Sequence, residues 1–464
     1  MRPAGNAAPG ATLGAAPPPA QGAWAQDALW HLVALGVLTG DHAPRGWDPA
    51  RVRCPARVAV IDTSVAMDHP NLRDAIDRAL AFDLVSTRLG AFPGRDGQAP
   101  LGRIALGDTR AAVAGLPGCS ALLQELTARL APDRPAWLGR LQPATSPVFS
   151  GHGTAIAGLI GARPVQVAGP DGAPLALPYC GVDPTCRIVP ISTGFDTDPE
   201  QMILAFLYAD LIGADVIVLP RHLPDPLRTV PELSSRSLAG QSLGDLVAPC
   251  PVPETARELW AELAELVLKI SLRRPIVCAA GNENEDYGIY PANLASDDNG
   301  VISVGAVNAL GWPCSYSPAD TLTVWAPSTD AERFDRTEMR LDPLGPHPEG
   351  IPEGAFDRFS PLQVISTDVP GQGGYATSPH EGPEPEDGLR EFGSYFCRFG
   401  GTSAACAIIG GLLALATATG RLPPRADGLE AKAWLMSQCL SPPPETPELR
   451  VPTLGAVTFT AISA

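Results

Sequence analysis

Short apolar runs recur along this chain, separated by stretches with helical spacing. That alternation limits the folds open to it more than any other feature. Val58-Ala59-Val60-Ile61, Arg187-Ile188-Val189-Pro190-Ile191, Val216-Ile217-Val218-Leu219 and Ile276-Val277-Cys278-Ala279 read as strands buried on both faces, since none shows the polar alternation of a half-exposed strand. Between them, Pro199–Ile212 reads as a helix with apolar Met202, Ile203, Ala205, Phe206 and Leu207. Thr255-x-x-Glu258 is a capping-box pattern, and Leu259, Leu263, Leu266 and Ile270 follow at helical spacing. Strands alternating with helices predict an α/β fold of three layers, a mainly parallel central sheet with helices on both faces. In such sheets functional groups collect outside the strands' carboxyl ends.

Three stretches place reactive groups at element ends. Val58–Ile61 runs into Asp62. In Ser150-Gly151-His152-Gly153-Thr154-Ala155-Ile156-Ala157-Gly158 a histidine stands among small residues at the start of a helix expected to run to Gly161. In Gly400-Gly401-Thr402-Ser403-Ala404-Ala405 a serine precedes a long apolar run with helical character. Taken alone, Ser403 reads as a helix cap, because serine and threonine are preferred there. Together the three supply an acid, a base and a hydroxyl, the parts of a nucleophilic triad. Their order along the chain is Asp62, His152, Ser403, which differs from the chymotrypsin and α/β-hydrolase orders and fits the subtilisin order.

On these residues the chain resembles the subtilisin family of serine peptidases, with its subtilisin-like three-layer fold. Four blocks carry the likeness: Val58–Leu72, His152–Gly158, Val277–Ala292 and Gly400–Gly411. Gly181-Val182-Asp183-Pro184, Gly213–Ile217, Tyr290-Pro291-Ala292 and Val301–Val307 agree with it. The resemblance implies a serine endopeptidase acting on protein or peptide substrates. Ser403 would be nucleophile, His152 base, Asp62 its orienting acid and Asn282 an oxyanion donor beside the Ser403 N–H. His69, in the continuation His69-Pro70-Asn71-Leu72, is expected to be structural. The chain departs from the family's pattern with Ser64 for Gly, Ala155 for a second His, and Ala404 and Ala407 for Met and Pro. Pro220-Arg221-His222 replaces the usual Ser-Leu-Gly, whose backbone pairs with substrate; these three are the candidate substrate-binding residues. Proline keeps the carbonyl needed for part of that pairing. Arg221 reads either as a selector of acidic substrate groups or as a solvated side chain.

Composition narrows the partners. Net charge is −17, from 33 basic and 50 acidic residues, so neither nucleic acid nor an anionic membrane is an expected partner. The uncharged apolar stretch 399–420 approaches membrane-spanning length. It is rich in small residues and holds Ser403, so it reads as a core helix behind the site. The ten cysteines show no C-x-x-C pair and no histidine at zinc spacing, so no metal centre is expected. No cofactor is required by the reading. Glu283, Glu285 and Asp286 follow Asn282, and many relatives hold calcium through carboxylate and carbonyl oxygens, but without a dense loop of alternating acids they read as a solvated acidic loop.

Residues 1–44 are an Ala, Pro and Gly-rich extension, expected to be partly disordered, with a short helix within 27–40. Its first 26 residues contain no apolar signal-like core, and the expectation is a cytoplasmic protein. Residues 45–464 are expected to form the peptidase domain, with insertions near 86–146, 222–254, 328–362 and 376–395. A helix is expected over Ser120–Leu130, another near Gly428–Gln438 and a strand at Val457–Thr460. With no folded prodomain in sight, the expected restraint is a regulatory protein partner or an internal loop, and the expected specificity is narrow. The rival reading is a catalytically impaired binding or regulatory protein on the same scaffold. An esterase using the same triad is a third.

Overall fold

The computed structural model describes residues 28–92, 106–130, 150–169, 172–194, 198–225, 254–282, 288–309, most of 311–328, then 363–369, 374–375, 395–439 and 449–454, with short strands between 237 and 242 and between 332 and 341. The N-terminal residues 1–27, residues 93–105 and 131–146 of the first expected insertion, most of the other three, Glu283, Glu285, Asp286 and the strand expected at Val457–Thr460 lie outside the described residues.

Seven parallel strands form the central sheet among the described residues: β1 (Arg57–Asp62), β2 (Phe82–Asp83), β5 (Arg187–Ser192), β6 (Val216–Leu219), β9 (Ile276–Ala279), β10 (Val301–Val307) and β11 (Val324–Pro327), in spatial order β11-β10-β9-β6-β1-β5-β2. Four antiparallel pairs lie apart from it: β3 (Val165–Ala168) with β4 (Pro174–Leu177), β7 (Ser237–Leu238) with β8 (Gln241–Ser242), β12 (Glu332–Asp335) with β13 (Glu338–Leu341), and β14 (Ile365–Thr367) with β15 (Phe396–Arg398). The helices are α1 (Trp30–Ala34), α2 (Leu106–Ala112), α3 (Pro117–Arg129), α4 (Ser150–Gly161), α5 (Pro199–Leu211), α6 (Glu254–Ser271), α7 (Gly401–Ala418) and α8 (Gly428–Ser437).

Two cores flank the sheet, and the two-residue period of a strand sorts side chains between them. Val58 and Val60 of β1, Val216 and Val218 of β6, and Val277 and Ala279 of β9 pack with α4 and α7. Ala59 and Ile61, Ile217 and Leu219, and Ile276 and Cys278 pack with α5 and α6. Asp62 continues the register of Val58 and Val60, so its carboxylate falls on the α4–α7 face.

The apolar stretch at 399–420 forms α7, the one helix among the described residues long and apolar enough to cross a bilayer, and 94% of it is buried inside the protein. Its glycines admit close neighbours: a Cβ at Gly410 would stand 2.4 Å from a Val218 methyl. On the opposite face α6 buries Trp260, Leu263, Leu266, Val267 and Ile270. The Glu262 carboxylate reaches from α6 to accept the N–H groups of Gly118 and Cys119, at 3.0 and 2.7 Å, and so caps α3.

Boundaries differ from the sequence reading in places, and α3 begins at Pro117 instead of Ser120. The helix expected within 27–40 is a single turn, α1, because Gly36 at φ +69° reverses the chain. Helix α6 already includes Glu254, so Thr255 lies within its first turn instead of before it. The described cysteines are free, Cys180 and Cys186 included, and both of those are buried.

Candidate active site

Each reactive residue is placed by a close approach that glycine permits. A Cβ at Gly153 would lie 2.5 Å from the Thr63 carbonyl oxygen, so only glycine lets the start of α4 press against the end of β1. The Gly153 N–H donates to Thr63 Oγ1 at 3.0 Å, locking that contact. Beyond it, Gly158 lets β14 lie against α4: a Cβ there would stand 2.2 Å from Thr367 Oγ1. Ser366 and Thr367 use that space to donate to the carbonyls of Ala155 and Thr154, at 2.5 and 2.8 Å.

The result is a tight carboxylate–imidazole pair. His152 Nδ1 lies 2.8 Å from Asp62 Oδ2 and 3.0 Å from Oδ1. Asp62 is 1% exposed, and its Oδ1 also accepts the Thr63 N–H at 2.5 Å. A carboxylate facing Nδ1 makes that nitrogen the N–H donor and leaves Nε2 with its lone pair. His152 Nε2 has no hydrogen-bond partner among the described residues, and the Phe399 ring meets the imidazole edge-on at 5.3 Å.

Ser403 is the third residue of α7. Its hydroxyl donates to the Pro220 carbonyl at 2.9 Å, and no bond joins it to His152. Its N–H has no hydrogen-bond partner among the described residues, as befits a helix's first turn. Asn282 lies three residues beyond β9. Its Oδ1 accepts the Thr402 N–H at 2.8 Å, which turns Nδ2 to the other side. That Nδ2 donates to no described residue, and Gly401, at φ +71°, gives it room: a Cβ there would be 3.0 Å away. Thr402 also ties α7 to Gly281, whose N–H donates to the Thr402 hydroxyl at 3.0 Å.

Of the three candidate substrate-binding residues, Pro220 is buried and presents its carbonyl to Ser403, and His222 is exposed. Arg221 is half-buried instead of solvated. Its guanidinium donates to Thr193 Oγ1 at 3.1 Å and to the Gly194 carbonyl at 2.9 Å, bridging the ends of β6 and β5 across the end of β1. Thr193 in turn donates its N–H to the Asp62 carbonyl at 2.8 Å. His69 is structural: Nδ1 accepts the Asn71 N–H at 3.1 Å, so Nε2 carries the proton donated to the Tyr395 carbonyl at 2.8 Å. Burial lowers its pKa and favours that neutral form. Sequence reasoning missed Thr63, Thr193, Phe399 and Tyr375. Thr63 lies inside one motif and Phe399 adjoins another, but their contacts depend on which face each strand end presents.

A carboxylate, an imidazole and a helix-start hydroxyl at the carboxyl ends of a parallel sheet are the equipment of an α/β serine hydrolase. The chain belongs to the subtilase family, whose model matches residues 56–443. It is therefore a subtilase-type serine peptidase. No curated protein matches it in sequence. Among solved structures it is similar to proteases from Pseudoalteromonas arctica PAMC 21717, at 16% identity and TM-score 0.42 over 86% of this chain and 87% of that one. The nisin leader peptidase NisP from Lactococcus lactis matches at 15% identity and TM-score 0.45 over 91% of each chain. A lanthipeptide protease matches at 14% identity and TM-score 0.48 over 89% of this chain and 87% of that one.

Proposed function

We propose that this chain hydrolyses peptide bonds through Asp62, His152 and Ser403, with Asn282 and the Ser403 N–H holding the oxyanion. The observation that carries the reading is the Asp62–His152 pair, which presets the tautomer a general base needs. The Ser403 hydroxyl leaves the Pro220 carbonyl by one rotation about its Cα–Cβ bond, a hop between staggered wells. An extended substrate running beside the end of β6 supplies the trigger, since its own N–H competes for that carbonyl. Ser403 Oγ then attacks the scissile carbonyl while His152 Nε2 takes its proton. The tetrahedral oxyanion faces Asn282 Nδ2 and the Ser403 N–H. Imidazolium returns the proton to the amine as the C–N bond breaks, and water repeats the sequence on the acyl-enzyme.

The reading extends to a cytoplasmic enzyme that needs no metal or cofactor, cuts few proteins, and is held in check by a protein partner or an internal loop. Pro220, Arg221 and His222 border the acyl side of its cleft. Ser403→Ala should abolish both hydrolysis of peptide libraries and labelling by a serine-directed phosphonate. The Ser403–Pro220 bond is also what favours the rival, an impaired binding protein. A wild type that labels no better than Ser403→Ala would establish that rival. Narrow specificity fails if the isolated chain digests casein indiscriminately.

A further inference from the structure

An aromatic series leads outward from His152. Phe399 meets the imidazole edge-on at 5.3 Å, and Tyr375 meets Phe399 edge-on at 5.6 Å. Phe399 is 4% exposed, whereas Tyr375 is 44% exposed along its length while burial of its hydroxyl end, within reach of the Asp62 charge, raises its pKa. The exposed ring is nonetheless fixed at its base. Asp368 Oδ1 accepts the N–H groups of both Val369 and Tyr375, at 2.8 and 3.1 Å. A Cβ at Gly374 would stand 2.0 Å from the Val369 carbonyl oxygen and 2.7 Å from the Asp368 carboxylate, so Gly374 is pressed against both residues just before Tyr375. The Asp368 N–H bonds the Tyr395 carbonyl at 2.8 Å, which joins this turn to β15, the strand that leads into Phe399. A large ring held in place with nearly half of its residue's surface open to solvent leaves contact area unused. Beside a reactive imidazole it is placed to meet a ligand.

The direction follows from proton transfer. The Ser403 hydroxyl bonds the Pro220 carbonyl, Asn282 holds the neighbouring Thr402 N–H, and Phe399 lies against His152. The leaving amine must take its proton from the imidazole, so the departing half of a substrate lies along the His152 flank. We propose that Tyr375 sets specificity on the leaving-group side, receiving an apolar or aromatic side chain from one of the first two residues after the scissile bond. The inference rests on the peptidase reading of Ser403 and adds to it a substrate preference.

The test uses the full-length chain and peptides with one common acyl half. Their leaving halves carry Leu, Phe, Gly or Asp at the first two positions. A methyl ester of the same acyl half reports acylation of Ser403 without any leaving peptide. Wild type should hydrolyse the ester well above Ser403→Ala and should prefer Leu and Phe over Gly. Tyr375→Ala should lower that kcat/KM preference by about tenfold, the scale of one lost aromatic contact, and Tyr375→Phe should retain it. An unchanged preference in Tyr375→Ala, or an equal loss on the Gly and Leu peptides, overturns the inference while leaving the peptidase reading intact. A wild type as inert towards the ester as Ser403→Ala overturns both.

Discussion

Asn282 does two separable jobs, and Asn282→Asp divides them. Oδ1 accepts the Thr402 N–H at 2.8 Å, which satisfies a donor in the first turn of α7. Nδ2 is the proposed oxyanion donor. Aspartate keeps the acceptor, and its negative charge at a helix N-terminus contributes about 0.3–1 kcal/mol of stability. It loses the donor. Losing one such donor costs about 10²–10³ in kcat, a magnitude measured on a subtilisin, or about 2.7–4 kcal/mol of transition-state stabilisation. The new carboxylate also faces the developing oxyanion, and two charges 4 Å apart at an effective dielectric of 20 repel by about 4 kcal/mol. Asn282→Asp should therefore unfold at or above the wild-type urea midpoint, yet lose at least about 10²-fold in kcat with KM little changed. Asn282→Ala should lose both, because the buried Thr402 N–H is orphaned at about 1–3 kcal/mol. Paired urea titrations and steady-state kinetics on the three proteins settle it. An Asn282→Asp enzyme within fivefold of wild type in kcat would refute the oxyanion role, whatever its stability.

Three further outcomes follow from other contacts. Asp62→Asn preserves the shape beside His152 but favours the wrong imidazole tautomer, so kcat should fall by about 10⁴ with little change in KM. Asp183 is fully buried, with one oxygen held by Thr185 and the other unpaired, and burial raises its pKa from 3.8 to about 6. Folding then takes up a proton between about pH 4 and 6, so stability falls as pH rises through that window, by about 3 kcal/mol in full. Asp183→Asn should match wild type near pH 4 and exceed it at pH 8, and parallel denaturation curves at the two pH values would show no such trend if the carboxyl ionises normally. Gly158→Ala must place a methyl 2.2 Å from Thr367 Oγ1 and 2.9 Å from the Thr367 backbone nitrogen, which should cost about 1–3 kcal/mol. Gly107→Ala, in α2 with open space around it, should be neutral or stabilising by up to about 1 kcal/mol, and equal urea midpoints for the two variants would dismiss the packing argument.

The strands and the nucleophile motif were readable because they rest on local signals. An apolar run that must lose both faces from water has few alternatives to a central strand, and β1, β6 and β9 lie where their runs predict. The contacts that tune the site were not readable, because each depends on direction in space. Arg221 read as a selector of substrate charge or as a solvated side chain. Its bonds run to Thr193 and Gly194, 28 and 27 residues earlier, a juxtaposition made by the sheet order alone. The hydroxyl of Ser403 read as the partner of His152, whereas it bonds the Pro220 carbonyl, a choice of direction that a sequence does not encode. Phe399 sat beside the motif unremarked, because nothing in a sequence shows that a ring will turn towards an imidazole whose helix begins near residue 150. Helix α1 is shorter than its apolar pattern because a single glycine at positive φ outweighs the residues beyond it.

The strand order explains why these groups meet where they do. From β1 the chain moves outward to β2 and β5, then crosses back to lay β6 on the other side of β1, with β9, β10 and β11 following outward. That reversal opens a crevice over the carboxyl end of β1. Asp62 ends β1, Pro220 follows β6 and Asn282 lies beyond β9, so adjacent strands deliver their residues in a row. The starts of α4 and α7 bring His152 and Ser403 to the same edge. Which face receives Asp62 is set by parity alone. It shares the register of Val58 and Val60, which pack towards α4 and α7, and a slip of one residue would send the carboxylate into the core beneath α5. Such a slip would also turn Ile61 towards α4 and open a hole beside Ile191 and Ile217. The packing that stabilises β1 therefore selects the same register that joins Asp62 to His152, and the site is held by the core instead of by its loops.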